Sequence, residues 1–318
     1  WVSLNNGYTT TQFYAIAIEP GNSNSNIVIG GMQDNGTWLT NTTDSDFKWK
    51  NLLYGDGAYC AISEGREYYY TSWQGGKTFK MLVNDSGIVT GFTKIDPTGT
   101  SNYSFINPFI LDANDNKIMY LCSGARIWRN DNLEEIPITN DEYVSSDVNW
   151  VKLSGSLAGG TITSLNMPKG PSNRLYYGTS SGKVYRLDSA NVGDRDNVGL
   201  TDTNLFPSNV NVSCVAPFDN QEDKILVSFS NYEVKSIFYS EDAGTTWQSV
   251  SGNLEENTDG SGSGPSVNWL NVLQMSDSLI CFAGTSTGVY STSKLNGDST
   301  IWAQEGSNTL GNVVVHMI

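Results

Sequence analysis

The chain has 318 residues, of which 38% are hydrophobic and 16% charged, and its 18 basic and 33 acidic residues leave a net charge of -15. This charge repels a phosphate backbone or an anionic bilayer, which argues against nucleic-acid binding. The single histidine, His316, excludes His-based triads and multi-His metal sites, so we expect neither a metal nor another cofactor.

The composition also predicts the class of structure. Thirty-two glycines and 11% aromatic residues favour many short strands joined by tight turns over long amphipathic helices. No apolar run is long enough to span a bilayer, so we expect no membrane insertion. Abundant Asn, Ser, Thr and Gly with few charges is typical of secreted surface proteins, and we expect a secreted or cell-surface location.

Short apolar strands recur along the chain at intervals of 44 to 57 residues. They begin at Tyr14, Ala58, Asn107, Thr161, Val212, Trp269 and Val313. A second and a third strand follow in each unit, as in RLYYGTSSG and GKVYRL of the fourth. A fourth strand centres on Trp49, Phe92, Trp150, Trp247 and Trp302, and is degenerate near Leu205 and Phe206 in unit four. Four strands per repeated unit predict an all-β fold, a β-propeller.

The two ends of the chain predict pieces of one further blade. WVSLNNGY at Trp1 has the pattern of a fourth strand, and VVVHMI at Val313 that of a first strand. We therefore expect six complete blades from about residue 12 to 311 and two pieces of a seventh, with Trp1 to Asn5 pairing in the blade of Val313 to Ile318. Because open strand edges are a liability, residues 1–318 are expected to be a single propeller from a longer secreted protein. The rest of that polypeptide, or a partner strand, would complete the seventh blade.

The four cysteines lie in apolar strand-like runs, without the spacing of a metal site. They are Cys60, Cys122, Cys214 and Cys281. Buried free thiols are one interpretation. Disulfides between Cys60 and Cys122 and between Cys214 and Cys281 are another, because each pair occupies matching positions in neighbouring units.

Ser240 to Trp247 matches the Asp-box pattern S-x-D-x-G-x-T-W. We interpret this turn as structural, with Asp242 accepting hydrogen bonds, Gly244 supplying a permissive backbone angle and Trp247 packing beneath. Ser240 and Thr246 complete the motif.

With this motif the chain resembles the Asp-box (BNR-like) propeller superfamily, which includes sialidases, sortilin-type receptors and xyloglucanase-type hydrolases. GGMQDNGTW from Gly30, YGDGAYCAI from Tyr54 and GTSTGVY from Gly284 are further similar to secreted Bacteroidota propellers of the type IX secretion class. The resemblance covers essentially the whole chain. Only Arg126 among six arginines falls clearly in a loop of the predicted binding face, which does not match the arginine cluster of a sialidase.

Strand order places the loops between strands two and three, and the blade-to-blade connections, on one face. The ligand-binding candidates in these loops are Asn5, Tyr8, Gln12, Gln33, Asp34, Asn35, Asp56, Trp73, Arg126, Asn231 and Tyr232.

Asp34 and Asp56 have two interpretations. A carboxylate pair could act on a glycosidic bond at separations of about 5 to 9.5 Å, and the resemblance to xyloglucanase-type enzymes implies a base near Asp34. Alternatively, Asp-Asn-Gly and Gly-Asp-Gly form turns. We therefore expect a non-catalytic extracellular module that binds a glycan or a protein, with a xyloglucanase-like glycoside hydrolase as the alternative.

Overall fold

Six four-stranded antiparallel sheets form the blades of a β-propeller in the computed structural model, which describes residues 11–44, 49–275 and 278–318. The strands of each blade follow one another in chain order from the inner to the outer edge. Helical structure in these ranges amounts to four single 3-10 turns, Glu64–Arg66, Leu133–Glu135, Ser154–Ser156 and Gly252–Leu254. None of the helices described is long and apolar enough to cross a membrane.

The first three blades contain strands β1 to β12. Blade one has β1 to β4 at Phe13–Ile18, Val28–Met32, Gly36–Thr40 and Lys50–Leu53. Blade two has β5 to β8 at Gly57–Ile62, Tyr69–Trp73, Lys77–Val83 and Val89–Lys94. Blade three has β9 to β12 at Phe109–Leu111, Met119–Ser123, Arg126–Asn130 and Trp150–Leu153.

The remaining blades contain β13 to β24. Blade four has β13 to β16 at Ile162–Asn166, Leu175–Thr179, Val184–Leu187 and Val198–Gly199. Blade five has β17 to β20 at Val212–Phe218, Gln221–Phe229, Ile237–Ser240 and Gln248–Ser249. Blade six has β21 to β24 at Val267–Gln274, Leu279–Thr285, Gly288–Thr292 and Ala303–Gln304.

The hydrophobic core lies between neighbouring blades. Second strands such as β14, whose five residues LYYGT are all buried, bury side chains on both sheet faces because a blade flanks each face. One core cluster joins Tyr120 of blade three to Leu165 of blade four, and another joins Phe218 of blade five to Leu270 of blade six. The predicted all-β propeller with six complete four-stranded blades is confirmed, whereas no strand of a seventh blade is found in the described residues.

Cations at equivalent positions of three consecutive blades, two of them buried and one partly buried, each link their blade to the next. Lys80, Arg129 and Arg186 stand in the third strands of blades two, three and four, opposite Tyr70, Tyr120 and Tyr176. Each donates to backbone carbonyls of the next blade. Lys80 donates to the carbonyls of Leu133, Glu134 and Ile136 at 2.8, 3.2 and 3.0 Å. Arg129 donates to those of Ala190 and Gly193 at 2.7 and 2.8 Å, and Arg186 to that of Ala243 at 2.8 Å.

Two sequence predictions differ from the structure. The fourth strand of blade four is Val198–Gly199, whereas Phe206 lies in the following connection and packs 5.1 Å from Trp247. The large aromatic side chain fills the core between blades without belonging to the ladder.

The C-terminal run at Val313 forms no strand. The Val315 N–H donates to the Thr285 carbonyl at 2.9 Å, and amide side chains of blade six bind the Val315 and Ile318 carbonyls. The Ile16 N–H of blade one donates to Met317 Sδ at 3.1 Å. Residues 312–318 therefore lie between blades six and one, bound mainly through side chains. Trp1 to Asn5, the other predicted piece of a seventh blade, lie outside the described residues.

Candidate functional site

One backbone hydrogen bond recurs where the predicted ligand-binding loops meet. The residue after strand two donates its N–H to the carbonyl of the residue just before strand one. The pairs are Gln33 to Gln12 at 3.1 Å, Gln74 to Asp56 at 3.0 Å, Ser180 to Thr161 at 2.9 Å, Ser230 to Asn211 at 3.2 Å and Ser286 to Ser266 at 2.9 Å. This bond joins the two kinds of loop on one face, which we call the upper face.

Asp34 and Asp56 meet on the upper face, in a structural contact. Asp34 is exposed and has a φ of 57°, so it is the left-handed residue of the turn between β2 and β3. Its N–H donates to Asp56 Oδ1 at 2.7 Å. The Asp56 N–H in turn donates to Gln74 Oε1 at 3.0 Å. The Asp56 carboxylate thus holds the turn of blade one against the connection to blade two.

Tyr14 is a third member of this group. Burial raises the pKa of its phenol, and the negative charges of Asp56 and Asp34 raise it further. All three side chains therefore share one electrostatic environment. Tyr14 was missed from the sequence because it lies in the inner strand YAIAI, where an aromatic residue predicts only core packing.

The other polar candidates mostly hold neighbouring loops. Asn231 Oδ1 accepts the Asn211 N–H at 2.7 Å, and Arg126 Nη1 donates to the Ser154 carbonyl at 2.7 Å. Asn35 Nδ2 donates to Thr11 Oγ1 at 3.3 Å and to the Gln33 carbonyl at 3.0 Å.

The remaining candidates differ in exposure. Trp73 is half-buried, 4.9 Å from Phe79 in an edge-on contact. Gln12 is exposed and contacts His316, and Tyr232 is 61% exposed. Asn5 and Tyr8 lie outside the described residues.

Large apolar side chains project from the blade-to-blade connections of the upper face. Four of the five connections expose one, namely Tyr54, Phe105, Leu157 and Leu205, at 80, 57, 54 and 44%. Tyr232 projects from the loop between β18 and β19 of blade five. Of these five residues, only Tyr232 is among the ligand-binding candidates predicted from the sequence.

A separate apolar pocket, the blade-one pocket, opens at the upper end of blade one. Its volume is about 420 Å³, and its lining consists of Thr11, Phe13, Met32, Asn35, Trp38 and Trp49. The rings of Phe13 and Trp49 lie 5.7 Å apart. This size lies within the usual range of about 300 to 1,000 Å³ for ligand pockets.

The turn from Ser240 to Trp247 has a closed hydrogen-bond network. Asp242 Oδ1 accepts the Thr246 N–H at 2.8 Å, Asp242 Oδ2 accepts Thr246 Oγ1–H at 2.6 Å, and Ser240 Oγ accepts the Gly244 N–H at 2.9 Å. Gly244 has a φ of 87°. Trp247 is buried and donates to the Leu200 carbonyl at 2.9 Å. Hydrogen bonds from Thr246 hold the pKa of Asp242 below its usual value.

The four cysteines are free and buried. Burial raises the pKa of Cys60, Cys214 and Cys281 to about 12 and that of Cys122 further. Neither disulfide considered from the sequence forms in the structure. Within the described ranges, no group of three or more His, Cys, Asp and Glu side chains could hold a metal ion.

No family model and no curated protein matches the chain. Its fold is similar to solved structures of U3-55K and of the RRP9 WD40 repeats, each at 11% identity and a TM-score of 0.56, over 86% of this chain and 73% of theirs. It is also similar to Saccharomyces cerevisiae Sqt1, at 12% identity and a TM-score of 0.56, over 96% and 88%. This likeness shows the β-propeller fold alone. None of these neighbours has an Asp-box or sortilin-type name, so the comparisons support the resemblance only as far as the propeller.

Proposed function

We propose that this propeller is a non-catalytic binding module whose upper face docks a protein partner. One contrast supports the proposal. Polar side chains chosen as ligand contacts, such as Asp56 and Asn231, are engaged in holding loops together, whereas apolar side chains of the connections project into solvent. Apolar side chains exposed over one face favour a protein surface over a glycan.

The Asp56 contact also bears on the hydrolase alternative. A general acid or base needs a carboxyl group free to meet substrate. Asp56 Oδ1 is already bonded to the Asp34 N–H, which favours a scaffold role for this residue.

The finer family and the location belong to the same proposal. The hydrogen bonds of Asp242 and Gly244 support membership in the Asp-box class. The low charge content and the abundance of Asn, Ser, Thr and Gly support a secreted or cell-surface location. Detecting the protein in the culture medium of its native source, with no signal from a cytosolic marker, tests the location.

Matched apolar substitutions test the docking face. One variant replaces Tyr54, Phe105, Leu157 and Leu205 by Ser. The control replaces four apolar residues elsewhere that are as a set more exposed, Ile18, Tyr143, Val144 and Ile301, by Ser. Photo-crosslinking in the native source should identify a protein partner that the upper-face variant loses and the control retains.

Two results would overturn the proposal. One is equal loss of the crosslinked partner by both variants when both keep the wild-type melting temperature. The other is saturable glycan-array binding that Gln33→Ala and Asn35→Ala abolish and the upper-face variant retains.

A further inference from the structure

The aromatic walls of the blade-one pocket lie on the sheet face turned away from blade two. Adjacent glycines of β2 show the two faces. Gly31 abuts the backbone of Ala58 in blade two, whereas Gly30 lies directly under the ring of Phe13. Trp38 stands opposite Gly30 in the β2–β3 ladder. This face is therefore aromatic and is not the one covered by blade two.

The pocket is held in shape before any ligand arrives. The Trp38 indole N–H donates to the Asn35 carbonyl, and the Asn35 side chain donates to Thr11 and to the Gln33 carbonyl. Thr11 donates to Met32 Sδ at 3.0 Å. Because hydrogen bonds link the wall to the rim, little conformational entropy remains to be lost on binding.

The upper-face loops beside the pocket are acidic, whereas the exposed Lys50 follows the pocket residue Trp49. The loop segments 11–12, 33–36 and 54–56 contain Asp34 and Asp56 and no Lys or Arg. Asp34 is exposed and adjacent in sequence to the pocket residue Asn35. The chain as a whole carries a net charge of -15, which adds to the attraction for a cation.

We propose that the blade-one pocket binds an aromatic side chain of a partner peptide segment whose neighbouring Arg or Lys contacts Asp34. This rests on the proposed protein-docking function and names the chemistry of the partner. The aromatic ring buries apolar surface against Phe13, Trp38 and Trp49. A basic residue beside it forms a charge-assisted hydrogen bond with the Asp34 carboxylate, and an acidic one is repelled.

Short blocked dipeptides test the pocket on the intact chain. Titrations monitored by NMR compare acetyl-Arg-Trp-amide, acetyl-Glu-Trp-amide and acetyl-Arg-Ala-amide at low salt. We expect saturable binding of the Arg-Trp probe, at least about tenfold tighter than that of the other two. Asp34→Asn keeps the turn and should reduce the preference for Arg over Glu to less than about threefold.

Two tryptophan variants and a sugar arm complete the experiment. Trp49→Leu should weaken Arg-Trp binding about tenfold, and Trp128→Leu, at a half-buried tryptophan of blade three, should leave it unchanged. Equal affinity for the Arg-Trp and Glu-Trp probes would overturn the proposal. So would saturable binding of cellohexaose that only Trp49→Leu removes, because the pocket would then be a sugar platform. Photo-crosslinking with the Ser variants tests the docking face separately, because none of the residues that those variants replace lines the blade-one pocket.

Discussion

The carboxylate of Asp56, a candidate catalytic group, is hydrogen-bonded to the backbone of a neighbouring turn. Its Oδ1 accepts the Asp34 N–H at 2.7 Å, and its own N–H donates to Gln74 Oε1 at 3.0 Å. Asp56 therefore joins the loops of blades one and two in the same way that Asn231 joins those of blade five. Turn formation accounts for both aspartates without a reaction.

The first prediction concerns catalysis by this pair. Wild type, Asp34→Asn and Asp56→Asn should release no reducing ends from a panel of plant and bacterial polysaccharides, because the Asp56 carboxylate is engaged in a turn. A general base would supply about a hundredfold or more. Release by wild type that both substitutions abolish would establish the hydrolase instead.

A second prediction uses the stability of the same contact. Asp56→Ala should lower the free energy of unfolding by about 1 kcal/mol, because the exposed Asp34 N–H loses its acceptor in the protein. Asp56→Asn keeps an acceptor oxygen and should stay within about 0.5 kcal/mol of wild type. Urea unfolding at pH 7 measures both. Equal losses would mean that the charge of Asp56, not its bond to the turn, carries the effect.

At the scale of the strand, the third strands of blades two to four act as links to the next blade. Lys80, Arg129 and Arg186 occupy one register position, and each donates to backbone carbonyl oxygens of the next blade. Tyr68 lies beneath the Lys80 ammonium at 4.0 Å. Burial lowers the pKa of Lys80, but three carbonyls and an aromatic face compensate its charge.

Replacing Lys80 tests this link. Lys80→Met should lower the free energy of unfolding by about 2 kcal/mol, because the carbonyls of Leu133, Glu134 and Ile136 lose the ammonium donor. The exposed Lys152→Met on β12 is the control and should change it by less than about 0.5 kcal/mol. Urea unfolding at pH 7 compares the two. Similar small effects from both would show that water replaces the ammonium at those carbonyls.

The same strands show what the sequence can and cannot predict. Inner strands such as VSCVA were found because apolar residues flanked by turn residues identify a buried strand. The short outer strand Val198–Gly199 is not predicted, because the aromatic residue Phe206 gives the stronger strand pattern in this unit. The blade-linking cations were also missed, since a lysine or arginine in a strand predicts solvent exposure and its carbonyl partners lie 53 to 64 residues away.

Across the whole molecule, strand order predicts correctly which loops share one face, but not which of their side chains are exposed. Strand order alone places the loops around Asp34, Asp56 and Asn231 on one face, and the recurring backbone bond joins them there. Whether a loop side chain is exposed depends on contacts between blades, which no local pattern reports. Tyr54 and Phe105 therefore project, whereas Trp73 is half-buried against Phe79.

The ring also buries many weak acids, which couples its stability to alkaline pH. The thiols of Cys60, Cys214 and Cys281 have their pKa raised to about 12 by burial, and the pKa of the Cys122 thiol is raised as well. Unfolded cysteine loses its proton near about pH 8.5. Between these values the folded state holds more protons than the unfolded state, so the free energy of unfolding falls as pH rises. Lys80 has the opposite effect, because its pKa is lowered in the folded state. Just below about pH 10.4 its contribution therefore makes the free energy of unfolding rise with pH.

The last prediction follows from that balance. Between pH 7 and 9.5 each buried thiol should remove about 1.4 kcal/mol from the free energy of unfolding and the four together about 5 to 6 kcal/mol, well above the opposing effect of one lysine. Urea unfolding in the presence of a reductant should show the decrease. Cys60→Ala should be less stable than wild type at pH 7 but should lose about 1.4 kcal/mol less on going to pH 9.5. An identical pH-dependent loss in the two proteins would mean that other groups, such as the buried tyrosines, control alkaline unfolding.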